Sequence, residues 1–488
     1  MAHHPVLHDP DLFRRIFEAC ALSSSYASTL LSVALCCRLW RHSALDILWR
    51  DLDSVSPLLN LLGSVEVVDG VYHPHRDISI DEWNSLEPYA TRVRTLALDE
   101  HIIHPSLYTR MVELAQGKPL LPLLRALKWE MPLSQNIAGV LLFASSSIHE
   151  VCIFDRRRTP SPSFDKTLSV FLSGLSARAP YIRTLHSCVK MSSSLSMIPG
   201  LRSLQTLVID DVDFFDPSTF FHRVVDLPNL SSLTVCVDGL RLTEPIHRVL
   251  LPFLVTLKLK GDGERTTRAL ETFTSPALTE LTLYRASGPG VQCRRFSEVA
   301  TQRFGLSLRK VSIFWDIMAL PTDVTHDRTF HLFEPLLSIS TITAFSITMA
   351  SRLDYPGLSL SEDECHLVAS SWPKLEHITI AYPGRNCAPQ VTFGSLVSFA
   401  LLCPSLKRLG LSFDTSRLPG INEVPELGHK LEFLSTDSEL ELGDLTRMVD
   451  LLHRIFANVK VIYAGRSHIA GVRASWSRVN AELRTLRR

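Results

Sequence analysis

From Val93 onward, apolar residues recur in a six-residue pattern: apolar, two variable, apolar, one variable, apolar. Fourteen such stretches start at Val93, Leu124, Ile148, Ile182, Leu204, Leu230, Leu254, Leu278, Leu308, Ile342, Leu375, Leu406, Leu431 and Val459, at intervals of 22 to 34 residues. Alternation at the fourth and sixth positions, as in Leu207 and Ile209 or Leu257 and Leu259, is the side-chain period of a strand. Seven of the fourteen carry Pro two residues before the start: Pro122, Pro180, Pro228, Pro252, Pro276, Pro373 and Pro404. With 28 Pro in 488 residues, chance predicts about one such coincidence, so the repeat is real. Proline there ends the preceding helix or loop and sets an extended approach to the strand. A single strand cannot bury its apolar face alone, so neighbouring repeats must stack to supply the core. Residues 216–226 and 362–371, apolar at spacings of three and four, predict helices outside the strands. The starts at Ile182, Leu431 and Val459 are the least regular, with Ser187, Thr436 and Ala464 at the sixth position.

The first 52 residues follow a helical period instead. Asp11 to Cys20 places Leu12, Phe13, Ile16 and Phe17 on one face, with Asp9 or Asp11 as cap and Pro10 in the first turn. A loop at Ser23-Ser24-Ser25 leads to a second helix, Ser28 to Arg41, with Leu31, Ala34, Leu35 and Leu39 inward. Ser43 reads as the cap of a third helix, Ala44 to Leu52, carrying Leu45, Leu48 and Trp49. In the linker over residues 53–92, Gly63 to Asp77 reads as a loop and Ser79-Ile80-Asp81-Glu82 as a capping box opening a helix. At the far end, Ile469, Val472, Trp476, Val479, Leu483 and Leu486 recur by three and four along a basic helix, the expected closure of the last repeat. The organisation predicted is α/β: helices over 1–52, a linker over 53–92, repeats over 93–465 and a closing amphipathic helix over 466–488.

Composition narrows the function classes. An apolar content of 45% supports a sizeable core, and 50 basic against 50 acidic residues argues against a dedicated nucleic-acid binder. No apolar run approaches the roughly 18 residues of a membrane span, and His3, His4 and His8 stand where a signal peptide would need an apolar stretch. The ten Cys form no C-x-x-C pair and sit mostly among aliphatic residues, predicting buried thiols in a reducing compartment, with no disulfide and no metal site. The expected location is cytoplasmic, nuclear or both. There is no P-loop, nucleophile elbow, H-E-x-x-H or dinucleotide fingerprint, so neither catalysis nor a cofactor is expected. Arg156-Arg157-Arg158 reads as a solvated loop.

Within the first helices, Ile16-Phe17, then Leu31 through Arg41 (L-S-V-A-L-C-C-R-L-W-R), then Ala44-Leu45 and Leu48-Trp49 resemble the F-box. Cys37, Arg38, Trp40, Ala44, Leu48 and Trp49 fall on the family's spacing, whereas His8-Asp9 stands where the family usually opens with Leu-Pro. The combination with the repeats is similar to leucine-rich-repeat F-box proteins, and the resemblance covers nearly the whole chain. It implies an irregular solenoid that binds a Skp-family adaptor, and through it a cullin, as the substrate-recognition subunit of a ubiquitin ligase. The adaptor-binding residues it implies are Leu12, Ile16, Phe17, Leu31, Leu35, Cys37, Arg38, Trp40, Leu48 and Trp49. One departure lies after the strands, where the family expects Asn or Cys to bond the turning backbone; this chain has His101, Asp238, Asp262, Asp316 or Asp414, and elsewhere Pro132, Arg156 or Ala286. A non-catalytic scaffold that binds the adaptor without directing degradation is the alternative, and an enzyme without a local motif is a third.

Positions two, four and six after each start project away from the core, which predicts the target surface. They give Lys258, Lys260, Glu280, Tyr284, Lys310 and Phe314, and in later repeats His377 and Arg408. Lys258, Lys260 and Lys310 favour an acidic or phosphorylated segment of an as yet unspecified protein target.

Overall fold

The residue two places after each of the fourteen starts enters a parallel strand, and these residues align across neighbours. The computed structural model describes residues 10–21, 26–99, 102–130, 137–154, 162–189, 191, 193–210, 217–238, 248–317, 329–351, 360–381, 391–436, 444–463 and 470–486. The chain divides into two compact units, Met1–Phe215 with Thr219–Leu230 and Asp216–Ser218 with Ser231–Arg488. In the first unit Thr95, Ala126, Glu150, Thr184 and Thr206 stand side by side in one ladder. In the second, Ser232, Thr256, Glu280, Lys310, Ala344, His377, Arg408, Phe433 and Val461 do the same. This constant offset follows from the pattern itself. Every start residue is buried, as are the described residues three and five places on, so a slip of one residue would turn the whole apolar row outward. Parallel strands with helices between them and covering one face are an arrangement of the leucine-rich-repeat type.

Helices occupy much of the return path. The predicted outer helices appear as Pro217–Val225 and Glu362–Ser371, and Gly290–Phe304 presents Cys293, Phe296, Val299, Ala300 and Phe304 to the core. Backbone approach is close at Gly263, where a Cβ would come within 2.3 Å of the buried Trp315 ring. The irregular starts are tolerated because their polar sixth residues are buried and bonded: Ser187 Oγ donates to the Val189 carbonyl at 3.3 Å. Asp238, Asp262 and Asp414 do the work expected of Asn after their strands. Asp238 Oδ1 accepts from the Asp262 N–H at 2.7 Å, Asp262 caps helix Gly263–Thr272, and Asp414 accepts from the Ser416 N–H at 2.8 Å. His101 lies outside the described residues.

Several local expectations are corrected. Residues 65–74 form a hairpin instead of a loop: Val65–Val68 pairs antiparallel with Val71–Pro74 across Asp69 and Gly70, whose φ values are 51° and 80°. Asp-Gly between two short apolar runs is the sequence signal for that turn, because both central residues need positive φ. Ser79 does cap helix Ile80–Asn84, but Glu82 reaches the Ser64 N–H at 2.7 Å and so ties the helix to the hairpin. Asp51–Leu52 is not helical; it is a short strand beside Thr95 and Leu96. The closing helix spans Ala470–Leu486 and buries Trp476, Val479 and Leu483, while Leu486 is exposed.

The cysteines split. Nine are described, and none of these nine is in a disulfide; Cys236, Cys293, Cys365 and Cys403 are buried as expected, but Cys36 is exposed and Cys20, Cys37, Cys152 and Cys188 are half-buried. No described helix is long and apolar enough to cross a membrane. The Ser23–Ser25 loop, Arg156–Arg158 and His3, His4 and His8 lie outside the described residues.

Candidate interaction surfaces

Three helices open the first unit: α1 over Pro10–Cys20, α2 over Tyr26–Cys36 and α3 over Arg38–Leu48. The continuous helix expected from Ser28 to Arg41 is broken at Cys37, which is extended at φ −145° and ψ 130°, and α3 starts five residues before the expected Ser43 cap is reached. Neither Pro nor Gly marks this break. The turn lets α3 bring Ala44 and Ile47 against Leu30 and Ala34 of α2 and Phe13 and Phe17 of α1, and these six form the core. Trp40 packs beside them, its ring 5.3 Å from that of Phe13.

That core sorts the expected adaptor contacts into two groups. Phe17 is buried, and Leu12, Cys37, Trp40, Leu48 and Trp49 are half-buried, with Trp40 and Leu48 turned to the helical core. Trp49 packs tilted against Tyr89 of the linker at 4.7 Å between ring centroids, and Arg92 joins the same seam through an ion pair to Asp46 at 2.8 Å. Ile16, Leu31 and Leu35 are exposed at 45%, 49% and 80%, and Leu39, also expected inward, is exposed at 52%. Leu31, Leu35 and Leu39 therefore correct the predicted inward face: Ala34 points in as expected, with Leu30 beside it in place of Leu31. Leu31 and Leu35 are one helical turn apart, so they form one apolar strip on α2. Arg38 is exposed at the start of α3.

On the second unit, the expected target residues all lie on the open face of the strands, exposed or half-buried. Lys310 is not an independent positive charge, because its Nζ is 2.5 Å from Glu280 Oε1 on the neighbouring strand. Lys258 and Lys260 make no ion pair with another described residue. Tyr284 and Phe314 face each other at 6.2 Å between ring centroids, with Tyr284 52% exposed. A β-bulge sets them there: Leu283 pairs with Ile313 and Ala286 with Trp315, so Tyr284 and Arg285 together oppose Phe314. Arg285 adopts φ 53° and is exposed. Such a bulge re-aims side chains outward, and the sequence pattern did not mark it because the inserted residue is not Gly. Farther along, Arg408 lies over the Phe433 ring at 5.9 Å. His377 beside it is held below the ordinary imidazole range by burial and by Arg408, which favours the neutral ring.

No family model matches the sequence, and no curated protein is significantly similar to it. Among solved structures, an internalin from Listeria monocytogenes is similar at 13% identity, over 76% of this chain and 93% of that one, with a TM-score of 0.33. The yeast Rad7 and Elc1 complex is similar at 12% identity, over 78% of this chain and 91% of that one, with a TM-score of 0.35. The repeat assignment rests on the strand ladders themselves.

Proposed function

We propose that this protein is the substrate-recognition subunit of a Skp–cullin–F-box type ubiquitin ligase, acting in the cytoplasm or nucleus. In this reading α1 to α3 take the adaptor, the open strand face takes the target, and the chain performs no transfer chemistry of its own. One observation carries it: a three-helix unit whose sequence follows the F-box spacing keeps Ile16, Leu31, Leu35 and Leu39 outside although it has a core to bury them in. Large aliphatic residues in a strip are the anchors a partner helix buries, and burial of each is worth about 2 kcal/mol. The test is capture of a Skp-family adaptor by the full chain and by the Leu31→Asp/Leu35→Asp variant. These side chains are outside the core, so the variant keeps its fold, whereas truncating Trp40 would not separate docking from folding. Capture should fall by about thirtyfold or more; equal capture would remove the adaptor reading. Capture of the adaptor with no target accumulating when the chain is deleted would favour the scaffold alternative.

A further inference from the structure

On the open face of the first unit, three neighbouring strands bring together four groups that the ligase reading does not use. Cys152, on strand Glu150–Phe154, pairs in register with His186 on Thr184–Ser187. His186 Nε2 lies 2.8 Å from Asp210 Oδ2 and 3.2 Å from Cys188 Sγ, and Cys188 Sγ lies 3.5 Å from Asp210 Oδ2. Cys152 and His186 are four places after their starts, Cys188 and Asp210 six, so the strand period sends all four to one face. All four are half-buried.

We infer that His186, Cys188 and Asp210 form a zinc(II) site. Tetrahedral zinc at about 2.0 Å from N or O and about 2.3 Å from S needs donors about 3.3 to 3.8 Å apart. The donor atoms of His186, Cys188 and Asp210 all lie within 4.8 Å of one another, with His186 Nε2 2.8 Å from Asp210 Oδ2. A thiolate, an imidazole and a carboxylate suit zinc and not magnesium or calcium. Three protein donors from two neighbouring strands leave the fourth position of a tetrahedral site to water. Binding displaces protons from the ring and the thiol, so affinity rises with pH.

The experiment uses the full chain with His3, His4 and His8 replaced by Ala, loaded with zinc at neutral pH, passed into metal-free buffer and measured for bound metal. About one equivalent is expected to stay, to be lost on acidification to about pH 5, and to fall below about a tenth in the His186→Gln/Cys188→Ser variant. Cobalt(II) added to the chain without the site substitutions should give thiolate-to-metal charge transfer and the intense visible bands of a tetrahedral site, a readout that does not depend on a variant folding. Absence of retained zinc, a cobalt spectrum without the thiolate band, or equal zinc in the double variant would each overturn the assignment.

Discussion

At the scale of single residues, burial and not residue type decides the role of each side chain. Phe17 and Trp40 fit a docking motif equally well by sequence, yet both pack into the helical core. His429 shows the same principle for charge. Its Nε2 donates to the Cys403 carbonyl at 3.0 Å, its ring meets Phe456 edge-on, and its Nδ1 is buried with no partner among the described residues. Burial therefore holds it below the ordinary imidazole range. Because the folded value lies below the unfolded one of about 6.5, the stability it carries is present above that pH and lost as pH falls toward the folded value. The urea midpoint should drop between about pH 7 and pH 5, and His429→Gln, which keeps a donor for Cys403, should flatten that drop. Equal slopes in the two proteins would show that other groups set the acid limit. His186 has the opposite sign: raised to about 10, its contribution is full below about 6.5 and is lost as pH rises through about 10, so it does not obscure the acid limb.

At the scale of elements, the critical places are ends and edges. Ser361 and Glu364 satisfy each other's backbone at the start of helix Glu362–Ser371 in a capping box. The last ladder strand, Val461–Tyr463, has a different guard. The Ile462 N–H donates to Asn480 Oδ1 at 2.8 Å, and Asn480 Nδ2 donates back to the Ile462 carbonyl at 2.5 Å. One side-chain amide thus occupies the donor and acceptor that a further strand would pair with. Asn480→Ala should cost about 1 to 3 kcal/mol in the second unit, read by urea unfolding, and should promote concentration-dependent self-association in sedimentation. A variant as stable and as monomeric as the parent would mean that Trp476, Val479 and Leu483 alone close the sheet.

At the scale of the whole molecule, the two proposed surfaces belong to different units and should fail independently. Lys258, Lys260 and Arg285 beside the Tyr284–Phe314 pair form a basic, aromatic patch, and Lys310 is partly neutralised by Glu280. Lys258→Glu/Lys260→Glu should lose an acidic target set while capturing the adaptor as before, and the parent's target capture should weaken as salt rises. An unaltered target set in affinity purification would put recognition elsewhere. Lys310→Glu, which would set two carboxylates side by side, tests a local repulsion more than it tests the target.

The sequence by itself determined the ladder. Its fourteen starts, the proline ahead of seven of them and the two-residue alternation fix register locally, because a buried apolar row admits no slip. That the first 48 residues carry helices and that a helix closes the chain's last repeat was also legible from the three-and-four spacing. What only the tertiary structure decided depends on contacts between distant residues. The break at Cys37 has no breaker residue and follows from packing α3 onto α1 and α2, which turns Leu31 and Leu35 out. The bulge at Tyr284–Arg285 needs the neighbouring strand to define it. The grouping of His186, Cys188 and Asp210 spans two repeats, and no local spacing rule brings residues 186 and 210 together; only parallel stacking does.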